Sequence, residues 1–322
     1  MSENRQLSLF AATPVVEAEI TRYTKLRDTV TLFQRRLIKD GKTEHTVNAF
    51  TSDLHLLGEF SGEGRAVGEF TTLELNDFLD WLEKGRGIPC SRKSYARRVT
   101  TVKVYFKWLT EIGALEHDPA HAVLQRSGQA PLAIILTDEQ VNAAMHHGAS
   151  LRHGDKPDTR PQVLFWLLLD TGIKKNETMR LTADDIDRTQ VSAPILRVRH
   201  TDAKNVYKER LIALDPQWVA LLDEYLAQYS PRDAIFNCTA RNLEYVLEDI
   251  GLGAEVPQKI SFEMMRWTCA VRDYQAGIEP ETIREKLGLS KISWSETFSK
   301  IRRLAGEKLD YTDGDDLEDA DE

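Results

Sequence analysis

Six cations, Arg92, Lys93, Arg97, Arg98, Lys103 and Lys107, crowd one short stretch of the chain. Guanidinium and ammonium groups at that density suit contact with phosphate oxygens rather than bond breaking. Ser295, Thr297, Tyr274 and Tyr311 are candidate nucleophiles, but Ser295 and Thr297 would need an activating base and the last histidine is His200, while Tyr311 sits in an acidic tail, a poor setting for attack on an anion. His146, His147 and His153 lie close together without a cysteine or acid pair at a metal-binding spacing, which fits a solvated helix end. Gly251-Leu252-Gly253 has neither the strand nor the lysine of a phosphate-cradling loop. Cys90, Cys238 and Cys269 are too scattered for zinc or a disulfide framework. No metal and no cofactor is expected.

These groups need elements to hold them. Val99, Val102, Phe106 and Leu109 recur three and four apart, so residues 94–112 should form a helix buried on one side, with several of the cations on the other. Gly113 ends it. An opening helix is expected around 24–39. A second follows Thr43 with Val47, Phe50, Leu54, Leu57 and Phe60 on its apolar stripe. A third opens at Thr72 with Leu73, Leu75, Phe78, Leu79 and Leu82 inward and Glu74 near the positive helix end. Further along, Thr137 and Gln140 make a capping box. Val163 to Leu169 is an apolar helix, and residues 195–198 and 210–214 flank a polar turn as an antiparallel hairpin. Helices return after Asp215.

The chain has 322 residues, 41% hydrophobic and 29% charged, enough for two packed domains. The expected organisation is a flexible arm at 1–18, a helical domain at 19–126, a linker at 127–135, a second domain at 136–309 and an acidic disordered tail at 310–322. No apolar run is long enough to span a bilayer, and the first residues have no apolar signal core, so a cytoplasmic protein is expected. A net charge of −9 looks wrong for a nucleic-acid binder until it is located. The tail carries eight acids and no base, and without it 42 bases face 43 acids. A near-neutral body can still present a basic face. In the arm, Gln6-Leu7-Ser8-Leu9-Phe10 resembles the motif with which bacterial replication and repair proteins bind the sliding clamp. Leu9 and Phe10 would enter an apolar pocket while Gln6 hydrogen-bonds at its rim.

A larger resemblance runs through the ordered chain. Leu287-Gly288-Leu289-Ser290 to Phe298 is similar to the nucleophile segment of tyrosine recombinases, the phage integrase family, in which Leu-Gly-His leads through a Ser-rich turn to Tyr. Thr171-Gly172-Ile173-Lys174-Lys175-Asn176-Glu177 resembles the family's Thr-Gly-Leu-Arg-x-x-Glu, and Glu263-Met264-Met265-Arg266 its His-x-x-Arg box. Thr46 to Phe50, Phe106 to Leu115 and Asp118-Pro119-Ala120 look like the core-binding domain. The resemblance implies a mainly α protein: an N-terminal SAM-like helical core-binding domain, then an α+β catalytic domain with a small antiparallel sheet.

It also implies roles by position. Lys174 stands where the first arginine belongs, keeping charge but losing the two-pronged fork. Lys204, with Lys208 as competitor, matches the hairpin lysine. Glu263 replaces histidine and would repel phosphate, whereas Arg266 keeps the second clamp. Leu289 replaces a helper histidine, and Phe298 replaces the nucleophile; a phenyl ring cannot form a phosphotyrosyl ester. No catalytic set is intact on this matching. Double-stranded DNA is the expected partner, held by the 92–107 cluster and by Lys174, Lys175, Lys204, Lys208 and Arg266. Another copy or a related recombinase could share that DNA, and the sliding clamp is a further expected partner. The implied function is accessory or regulatory DNA-site binding. The alternatives are a recombinase with divergent chemistry and a clamp-associated protein.

Overall fold

A computed structural model describes residues 19–124, 132–153, 156–201 and 203–307, without the side chains of Ala203 and Lys204. The chain divides into two compact units, one ending at Ala130 and the other beginning at Pro131. Among the described residues, no helix is long and apolar enough to cross a membrane.

The first unit is helical. Its helices are α1 (Leu26–Lys39), α2 (Glu44–Ser61), α3 (Thr72–Asp80), extended by a π-helical turn at Trp81–Gly85, and α4 (Arg92–Glu111). Each of the last three starts where a hydroxyl accepts a free backbone N–H: Thr43 from Thr46, Thr71 from Glu74 and Ser91 from Ser94. Gly113, at φ +76°, turns the chain out of α4. Phe33, Leu54, Leu57, Phe78, Phe106 and Leu109 form the core. Within it, the Tyr105 hydroxyl is satisfied by Thr29 Oγ1 at 2.6 Å. Leu73 departs from the expected stripe and is 72% exposed. It precedes Leu75 by two residues, about 200° of helix, so it leaves the face that Leu75, Phe78, Leu79 and Leu82 share.

The second unit wraps helices around α6. It contains α5 (Asp138–Ser150), α6 (Arg160–Thr171), α7 (Lys175–Thr178), α8 (Pro216–Tyr229), α9 (Ala240–Gly253), α10 (Phe262–Gln275), α11 (Pro280–Lys286) and α12 (Lys291–Leu304). The Thr137–Gln140 capping box opens α5 in both directions, at 3.0 and 3.3 Å. Leu164, Phe165 and Leu168 of α6 are fully buried in the same core as Trp218, Tyr225 and Met265. The predicted hairpin is present as β2 (Ile195–Val198) and β3 (Arg210–Ala213), paired antiparallel with Val198 opposite Arg210. A two-residue strand, β1 (Ile186–Asp187), adds to the far side of β2, giving the order β1-β2-β3 and leaving β3 at the edge.

Candidate functional site

Four cations converge in the second unit around one carboxylate. Gly172 ends α6 in the left-handed region at φ +57°. A Cβ there would stand 3.0 Å from Leu287 and 3.2 Å from the Cys269 sulfur, so a bare backbone permits the close packing with α10 and the Leu287 segment. Ile173 is fully buried and pins the turn that sets Lys174 at the head of α7. One turn on, Glu177 accepts from the Lys174 backbone N–H at 2.8 Å. It also takes two N–H groups of Arg210, at 3.1 and 2.8 Å. Arg210 opens β3, and its Nε donates to the Lys286 carbonyl at 2.6 Å.

A further cation comes from α10. Arg266 donates to the carbonyls of Gly172, at 2.6 Å, and Leu287, at 2.5 Å, tying the α6–α7 turn to the end of α11. Burial lowers its guanidinium to about 10, still cationic at neutral pH. Burial also lowers the Lys174 ammonium, and Arg266, Arg210 and Lys208 lower it further by repulsion. Burial alone would raise Glu177, but Arg210 and the Lys174 N–H bring it down to about 2. The site is therefore a desolvated cationic pocket in which the Glu177 carboxylate is occupied by Arg210. Such a pocket favours an anion such as a phosphate group.

The positions expected to do chemistry fall as follows. Glu263 is exposed in the first turn of α10, one turn before Arg266. Leu289 packs against the small apolar cluster of Val271, Ile283, Leu287 and Ile301. Phe298 stacks on Trp294 at 5.2 Å and meets Tyr274 edge-on at 5.6 Å. The ring is held in an aromatic group between α10 and α12. Among the other hydroxyls, Tyr274 donates to Glu307, which raises its pKa. Thr297 donates to the Ser293 carbonyl at 2.8 Å, and Ser295 is exposed. Lys175 is drawn to Glu244 at 2.8 Å. Lys208 donates to Asn205 at 2.5 Å. Lys204 lies in the 3-10 turn at Ala203–Lys208, with its side chain outside the described set. Gln6, Leu9, Phe10 and Tyr311 also lie outside the described residues.

On α4 the six cations divide. Arg97 grips buried Asp53 through two contacts of 3.0 and 2.7 Å. Arg98 lies 3.5 Å from the same carboxylate and donates to the Cys90 sulfur at 2.7 Å. Thr101 adds a hydrogen bond to Asp53 at 2.9 Å. These two arginines thus help close the core under α4. Arg92, Lys93 and Lys107 are exposed, Lys103 is half-buried, and Lys107 has only a loose 3.9 Å approach to Glu111.

Sequence reasoning missed Arg210, His200 and Asp53 as site-forming groups. His200 brings its Nε2 to 3.5 Å from Glu177. A charged residue at the start of the apolar strand Leu211-Ile212-Ala213 was the available signal for Arg210, since a buried charge requires a partner.

Comparison with known proteins places this architecture. Residues 135–301 match the Phage integrase family, and residues 30–113 match the phage integrase N-terminal SAM-like domain. Tyrosine recombinase XerC of Roseiflexus sp. is 27% identical over 300 residues, covering 87% of this chain and 91% of the relative. Tyrosine recombinase XerD of Listeria innocua is 22% identical over 282 residues, covering 83% and 92%. Two solved structures share the fold. A lambda integrase dimer bound to a core site has a TM-score of 0.68 at 14% identity, covering 89% of this chain and 79% of that one. The XerH site-specific recombinase in a post-cleavage complex with a palindromic difH substrate has a TM-score of 0.68 at 16% identity, covering 87% and 81%.

Proposed function

The chain belongs to the phage integrase family, and from that premise we propose that it binds duplex DNA at recombination sites without cleaving it. It acts there as an accessory or regulatory subunit, beside another copy of itself or a tyrosine-bearing recombinase. One observation carries the proposal: Phe298, the residue that the resemblance sets at the nucleophile position, carries no hydroxyl and is packed against Trp294 and Tyr274. The cationic pocket of Lys174, Lys208 and Arg266 supports retention of a phosphate. Lys174 in place of a fork and Glu263 on the turn before Arg266 weaken stabilisation of a pentacoordinate phosphorus. On the first unit, Arg92, Lys93, Lys103 and Lys107 supply further phosphate contacts.

The test uses a nicked duplex that traps covalent intermediates, built from the DNA flanking the protein's own gene. The expected result is salt-sensitive retention of DNA in a native gel and no protein–DNA adduct in a denaturing gel. An adduct would overturn the non-cleaving assignment. Failure to retain any duplex at low ionic strength would overturn DNA binding itself.

A further inference from the structure

A groove of about 650 Å³ lies between the β3 edge and α11, sharing Lys208 and Arg210 with the cationic pocket. Its volume falls within the range of about 300–1,000 Å³ typical of small-molecule sites. Leu211 and Ala213 line it because alternation along β3 sends Ile212 inward and its neighbours outward. Tyr207, at the end of the turn leading into β3, stands at its mouth with 67% of its surface exposed, and Leu211 is equally exposed. The Lys208 ammonium sits over the Tyr207 ring at 5.2 Å. Ile278 and Leu289 close the α11 side, and Thr282 and Glu285 offer hydrogen-bonding groups.

Position and the exposed aromatic ring identify the occupant. Of the four cations that line the groove, Arg210, Arg284 and Lys286 are paired with Glu177, Glu281 and Asp273, and Lys208, bonded to the neutral Asn205, brings its positive charge to the mouth. Arg210 also belongs to the phosphate-favouring pocket. Tyr207 precedes it by three residues, at most about 11 Å of backbone, whereas successive bases in a duplex strand rise about 3.4 Å. A phosphate seated by Lys174 and Arg266 therefore places its own or a nearby base within reach of the groove.

We infer that this groove receives an unstacked nucleobase, with Tyr207 stacking on it, a role that rests on the DNA-binding proposal above. Walls on both sides, β3 and α11, exclude a base that remains paired. One aromatic stack gains less than extraction of a paired base costs, so the groove selects bases already out of the helix. The site should thus favour distorted DNA over regular duplex.

The test compares fluorescence-anisotropy titrations of the full chain with a paired duplex and with the same duplex carrying a single-nucleotide bulge of 2-aminopurine. Wild type is expected to bind the bulged form about five- to a hundredfold more tightly and to quench the 2-aminopurine. Tyr207→Ser should lose both the preference and the quenching; Tyr207→Phe should keep both. The exposure of the ring makes either variant tolerable to the fold, and a thermal melt checks this. Equal affinity for the two duplexes, or a preference that survives Tyr207→Ser, would overturn the inference while leaving DNA binding intact. Self-association that Tyr207→Ser abolishes, without any bulge preference, would assign the groove to a second copy and also overturn it. Absence of binding to either duplex at low salt would instead remove the DNA proposal beneath it.

Discussion

Arg210 meets Glu177 with two parallel N–H···O contacts of 3.1 and 2.8 Å, and both side chains are almost completely buried. Truncating one partner leaves the other charge in a desolvated pocket. Glu177→Gln is expected to cost about 3–5 kcal/mol, read as a shift in urea midpoint. The pair also sets an acid limit. Glu177 titrates at about 2 when folded against an ordinary 4.5, so the unfolded chain takes up its proton first as pH falls. Its contribution is complete above about pH 5 and is lost between 4.5 and 2, about 3 kcal/mol in all. Urea unfolding at stepped pH should show this loss in wild type and not in Glu177→Gln. A flat wild-type profile from pH 5 to 3 would contradict the buried pairing.

Gly288 tests the same pair from the other side. It sits at φ +58°, and a Cβ there would stand 2.9 Å from Arg210 Nη1. Gly288→Ala therefore combines backbone strain with displacement of the guanidinium from Glu177, about 1–3 kcal/mol in total. Gly113, at φ +76° with open space around it and the same pattern of helix-ending backbone hydrogen bonds, is the matched control for strain alone. The Gly288 variant should lose more stability than Gly113→Ala and should acid-unfold at higher pH, because Glu177 loses part of what holds its proton off. Equal behaviour of the two variants would separate Gly288 from Arg210.

The caps and stripes were legible because each is local. Thr137 with Gln140, Thr43, Gly113 and the alternating hairpin strands announce themselves within a few residues. Arg266 stood out through its box, but its bonds to the Gly172 and Leu287 carbonyls, 94 and 21 residues away, did not. The pairing of Glu177 with Arg210, and of Asp53 with Arg97, joins residues 33 and 44 apart. No periodicity records such a choice of partner; tertiary packing makes it. Strand β1 has two residues, too few for alternation to register. Leu73 was misplaced because its apolarity was counted without its angle around the helix.

The cations of α4 should separate by assay. Asp53 is buried under Arg97, Arg98 and Thr101. Asp53→Asn strands Arg98 and is expected to cost about 3 kcal/mol, near the low end because Arg97 can swing into water. Lys103→Ala and Lys107→Ala should leave the melting temperature unchanged. Each should instead lower the slope of log affinity against log salt by about 0.9 for every phosphate its side chain neutralises. Slopes identical to wild type would remove Lys103 and Lys107 from the proposed DNA interface.

On the proposed non-cleaving function, a hydroxyl supplied at position 298 should not by itself give cleavage. A tyrosine at 298 keeps the ring on Trp294 and against Tyr274, so Phe298→Tyr should fold as wild type does. The new nucleophile would still face a phosphate held by the single point charge of Lys174, with the Glu263 carboxylate one turn from Arg266. Each missing transition-state donor costs roughly 10²–10³ in rate, so two deficits push adduct formation roughly 10⁴-fold or more below a complete site. On the trapping duplex, Phe298→Tyr should therefore give no adduct. Phe298→Tyr combined with Lys174→Arg and Glu263→His should give a detectable one. A triple variant that binds DNA yet stays silent would show that more than these three positions separates the pocket from strand cleavage. An adduct from Phe298→Tyr alone would show that Lys174 and Glu263 are no obstacle.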